Sequence, residues 1–61
     1  MTTLTTKELT GIEDQLTSEE TLISKCKLYA STAQDAAIKA KLEEMAQKHQ
    51  QHFDKLYSLL G

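Results

Sequence analysis

Two stripes of apolar residues at helical spacing, separated by a short polar break, constrain this chain more than any other feature. The first stripe runs Leu9, Ile12, Leu16, Ile23, Cys26, Ala30, in steps of three, four, seven, three and four. The second runs Ile38, Leu42, Met45, His49, His52, Leu56, Leu59, alternating steps of four and three. Steps of three and four place residues on one side of an α-helix. A strand would show a period of two. The chain has no proline, two glycines and three aromatic residues, Tyr29, Phe53 and Tyr57. Such a composition suits helices and lacks the turn punctuation of an all-β or α/β domain.

The helix ends are marked. Thr5 and Glu8 have capping-box spacing, and Leu4 and Leu9 flank them at the spacing of a hydrophobic staple. Thr17-Ser18-Glu19-Glu20 has the form of a second capping box. The stripe nevertheless keeps its phase from Leu16 to Ile23, so one continuous helix is expected across it. Gly11 lies inside that helix. The phase breaks at Ser31-Thr32-Ala33-Gln34, and Asp35 is the expected cap of a second helix. The expectation is a single domain over 1–61: helix 1 about 5–31, turn about 32–35, helix 2 about 36–60. On the outer face Lys39–Glu43 and Glu44–Lys48 have ion-pair spacing.

Two helices joined by a short loop pack antiparallel. At 61 residues, one hairpin has little core of its own. Folds below roughly 70–80 residues lean on staples, metals or partners. Cys26 is the only cysteine, so no disulfide forms within the chain. It reads as a small buried hydrophobe, with an interchain disulfide as the alternative. The apolar faces are wider than a two-helix contact covers, which predicts association. The expected fold is an all-α, antiparallel two-helix hairpin dimerising into a four-helix bundle. Its dimer core is Leu9, Ile12, Leu16, Ile23, Leu42, Met45, Phe53 and Leu56. A higher oligomer, or an adaptor that completes another protein's bundle, are the other forms such a face allows.

Nine acids against seven lysines leave a net charge of −2, with no arginine. A nucleic-acid binder shows a basic stripe, so that class is excluded. No apolar run approaches the roughly 20 residues of a membrane span. The start Met-Thr-Thr-Leu-Thr-Thr lacks a basic segment followed by an apolar one. Synthesis and retention inside a cell, in a reducing compartment, are expected.

Folding the hairpin about residue 33 or 34 sets Ala30 against Ala37, Cys26 against Lys41 and Leu42, Ile23 against Met45, Glu19 against His49, and Leu16 against His52. The one acidic gap in the first stripe thus meets the histidines of the second. An unpaired buried charge is costly, which leaves three accounts. Glu19 and His49 hydrogen-bond and set the helix register; or the dimer brings two such sets together and His49 and His52, with Glu19 or Glu20, hold Zn or Fe, making a small metal-binding protein the alternative function; or the seam is splayed and wet there. Ser18, Ser24, Ser31 and Ser58 have no local base, and no phosphate-binding glycine loop is present. A non-enzymatic role is expected, with no cofactor under the leading reading.

The segments LTTKELTGIEDQLTSEETLISKCKLYASTAQD and LEEMAQKHQQHFDKLYSLL resemble the spore coat protein F family of endospore-forming bacteria. The resemblance runs from Leu4 to Leu60. It is carried by the Leu-Thr-x-Lys-Glu-Leu opening, Glu13-Asp14-Gln15-Leu16, Lys-Leu-Tyr-Ala with its Gln-Asp turn, and Lys48-His49-Gln50-Gln51-His52-Phe53. It implies a ferritin-like helical unit and a structural component of the spore coat, made in the cytoplasm and partnered by other coat proteins. Di-iron ferritin-like sites use Glu-x-x-His. Here Ala46 stands three residues before His49, so iron oxidation chemistry is not implied.

Overall fold

The computed structural model describes residues 3–61; Met1 and Thr2, part of the polar start, lie outside them. Helix α1 spans Thr6–Thr32 and helix α2 spans Ala36–Ser58. They form an antiparallel hairpin.

Side chains that replace missing backbone partners set each helix end. Thr5 is extended (φ −73°, ψ 162°) and its hydroxyl accepts from the Glu8 N–H. The Glu8 carboxylate accepts from the Thr5 N–H at 3.0 Å. Together these close the capping box and satisfy two amide donors left over at the helix start. The helix then runs unbroken through Thr17–Glu20. Its mid-helix threonines do not interrupt it. Thr10, Thr17 and Thr21 donate their hydroxyls to the carbonyls of Thr6, Glu13 and Thr17, four residues back, a bond compatible with helix geometry.

α1 stops without glycine. Ser31 donates to the Leu28 carbonyl at 2.6 Å, and Thr32 reaches the Leu28 and Tyr29 carbonyls. The Ala33 N–H also donates to Tyr29. These bonds meet the orphan carbonyls that a left-handed glycine cap otherwise serves. Ala33 itself is extended at φ −67°, ψ 132°. Asp35 then caps α2, its carboxylate accepting from the Ala37 and Ile38 N–H groups at 2.8 and 3.0 Å. α2 closes in a tightened turn, with Leu59 and Leu60 donating to Leu56 and Tyr57. On its outer face Glu44 pairs with both Lys41 and Lys48.

α1 buries Leu16, Glu19, Ile23, Cys26 and Ala30, with Ile12 half-buried. α2 answers with Leu42, Ala46, His49, Phe53 and Leu56, of which Ala46 is fully buried. This corrects the expected seam of α2 at alternate teeth. Leu42, His49 and Leu56 stand on it; Ile38, Met45, His52 and Leu59 do not. Met45 is 46% exposed, and Ala46 is buried where Met45 was expected opposite Ile23. The reason lies in side-chain size. Cys26, Ala30 and Ala46 are all small and are among the most buried residues, and a methionine in the place of Ala46 needs more room.

The Cα trace measures 46 × 16 × 10 Å, one helix diameter thick. Both broad faces of the hairpin are therefore open, and no side chain among the described residues is completely buried. The two faces differ. One is a groove floored by Ala30 and Ala46 and rimmed by Lys27, Ser31, Lys39, Glu43, Gln47 and Gln50. The other, by helical spacing, carries the rows Gln15, Leu22, Tyr29 on α1 and Ile38, Met45, His52, Leu59 on α2. No helix among the described residues is long and apolar enough to cross a membrane.

Candidate functional site

Glu19 occupies the fourth position of the α1 stripe and is 5% exposed. Its carboxylate is held by two hydrogen bonds and approached by a third group. His49 Nδ1 lies 2.6 Å from Oε2. Gln15, one turn back on the same helix, donates to Oε1 at 3.2 Å. His52 Nδ1 stands 3.7 Å from the same Oε1, beyond hydrogen-bond reach. The two imidazoles meet edge to face at 5.8 Å between centroids. Exposure rises across the group: the His49 side chain is 23% exposed and that of His52 59%. The cluster thus begins in the seam and opens onto the apolar face.

The geometry of Glu19 and His49 is that of the hydrogen-bonded pair, and no buried side-chain polar atom among the described residues lacks a partner. Burial by itself pushes the Glu19 carboxyl up. The hydrogen bonds from His49 and Gln15, with the charges of His49 and His52, outweigh it and hold the carboxyl below its ordinary value. Hydrogen bonds and opposite charge favour the ionised form.

Of the four residues named as possible metal ligands, the structure brings together Glu19, His49 and His52, whose ligand atoms all lie within 4.8 Å of one another. Glu20 is not with them. It sits on the other flank of α1, beside Ser24, Gln50 and Phe53. Of the expected dimer core, Leu16 and Ile23 are buried in the single hairpin, and Ile12, Leu42, Phe53 and Leu56 are half-buried. Leu9 and Met45 are exposed. Cys26 is a buried free thiol.

Two features escaped the reading of the stripes. Gln15 completes the shell of Glu19, and its position four residues before Glu19 is the signal for it. Leu22 and Tyr29 extend the apolar face of α1. Their seven-residue spacing is visible in the sequence, out of phase with the main stripe.

Compared with protein-family models, curated proteins and solved structures, the chain matches none.

Proposed function

We propose that this chain is a non-enzymatic structural protein, a helical hairpin that pairs with a second copy of itself to close a four-helix bundle of ferritin-like form. One observation carries the pairing. A molecule one helix thick presents Leu22, Tyr29, Ile38 and Met45 to solvent on a single face. The seven-residue rows that contain them, Gln15, Leu22, Tyr29 and Ile38, Met45, His52, Leu59, are free of lysine, aspartate and glutamate, with Lys41 and Lys48 at their edge. An exposed apolar surface of this kind marks an association site. A second copy fits it best, because a two-fold axis sets the same patch against itself and supplies the missing second layer.

The resemblance of its segments to the spore coat protein F family suggests the setting: a building block of the spore coat, held among other coat proteins. That setting rests on that resemblance alone.

Sedimentation equilibrium of the purified chain tests the pairing. The expected mass is twice that of one chain, and Met45→Lys should return it to the monomer by placing a charge in the contact. A wild-type chain that stays monomeric at high concentration refutes the bundle. For the setting, the protein should be recovered from the coat fraction of purified spores of its host; recovery only from the soluble cell fraction removes the coat role.

A further inference from the structure

We infer that Glu19, His49 and His52 of a single chain bind one divalent transition-metal ion of the Zn²⁺ class where the helix seam opens onto the apolar face. The hydrogen-bonded pair accounts for Glu19 and His49. It leaves His52 unexplained. From the next turn of α2, His52 directs Nδ1 at the same carboxylate and stops 3.7 Å short of Oε1. Two imidazole nitrogens and a carboxylate oxygen therefore converge from two helices within 4.8 Å. Ligands at about 2.0–2.2 Å from a tetrahedral ion lie roughly 3.3–3.5 Å apart. The 2.6 Å contact to Oε2 must open, the 3.7 Å contact to Oε1 must close slightly, and separations of up to 4.8 Å within the set must shrink by about an ångström. His52 has the freedom to move, since most of its ring is in solvent.

The donor set selects the ion. Calcium and magnesium require oxygen ligands in greater number. Two imidazoles with one carboxylate suit Zn²⁺ and its neighbours, and leave the remaining positions open. Gln15, bonded to Oε1, orients the carboxylate from outside the ligand set, as second-shell partners of metal sites do. On binding, His49 presents an unprotonated Nδ1, the neutral ring keeping its one proton on Nε2, and the ion takes the place of the Nδ1–Oε2 hydrogen bond. All three ligands come from one chain, so a monomeric outcome of the sedimentation test leaves this site intact.

The full chain, stripped with EDTA and dialysed, is titrated with Zn²⁺ by calorimetry and with Co²⁺ by visible absorption. One ion per chain is expected, with a cobalt spectrum of nitrogen–oxygen ligation and a Zn²⁺-dependent rise in melting temperature. His52→Ala should weaken binding by more than about tenfold and abolish that rise, each read against the variant's own metal-free melting temperature. Glu19→Gln should weaken binding as well. Absence of saturable uptake of either ion, or uptake unchanged in His52→Ala, overturns the assignment.

Discussion

Glu19 is the residue on which the seam turns. A carboxylate at the centre of an apolar stripe persists because its lone pairs are occupied by Gln15 and His49. Removing one member of such a pair leaves the other buried and unmatched, whereas replacing both by apolar residues is often tolerated. Glu19→Leu and His49→Leu should each destabilise the metal-free protein more than the double change does. A pH profile gives the same answer independently. Because the folded-state carboxyl lies below its ordinary value of 4.5, its stabilising contribution is present above that pH. It is lost as pH falls through the lower, folded value. Urea melts at descending pH should show this acid-side loss in the wild type and a smaller one in the double variant. Equal losses in both would remove Glu19 from the account.

At the scale of the element, α1 is a long helix built from unpromising local material. It contains five threonines between Thr6 and Thr32 and a glycine in its first half. Threonine is a modest helix former, and glycine costs about 1 kcal/mol relative to alanine. What carries α1 across these positions is the capping box at one end and the buried stripe from Leu16 to Ala30. Gly11 contributes nothing that requires a bare Cα. A Cβ placed there meets nothing within 4 Å. Gly11→Ala should therefore stabilise the protein by up to about 1 kcal/mol, read as a rise in the urea midpoint at fixed protein concentration. A fall would show that the position is in contact with something outside the hairpin. The turn teaches the complementary lesson. Ser31, Thr32 and Asp35 end one helix and start the next by hydrogen bonding alone, and all three are visible as breakers in the sequence.

At the scale of the whole molecule, a slab one helix thick buries only a narrow seam, Leu16, Ile23, Cys26, Ala30 and Ala46, and leaves its broad apolar face to solvent. Met45 shows the difference. As a residue of the hairpin's own seam it would cost about 2–5 kcal/mol on truncation to alanine. It is 46% exposed in the single chain, so in the proposed dimer its burial would come from the partner copy. The expected result is a melting temperature of the wild type that falls on dilution. The Met45→Ala variant should melt below the wild type at high concentration and converge on it as both are diluted. A constant gap at every concentration would place Met45 inside its own hairpin.

The amino-acid sequence by itself determined the number and type of the helices, the Thr5–Glu8 and Asp35 caps, and the meeting of Glu19 with His49. These follow from local causes: capping stereochemistry, helical period, and a turn short enough that residue numbers on the two helices add to a nearly constant sum. The sequence did not determine which side of α2 turns inward. Leu42, Met45, His49, Leu56 and Leu42, Ala46, His49, Phe53, Leu56 both obey steps of three, four or seven. Adjacent residues such as Met45 and Ala46 differ by about 100° around the axis. Periodicity gives a helix its apolar side but not its rotation about its own axis. Close packing decides that rotation. Here the small side chains of Cys26, Ala30 and Ala46 occupy the seam, turning Met45 and Ile38 outward and leaving His52 at the mouth of the Glu19–His49 pair.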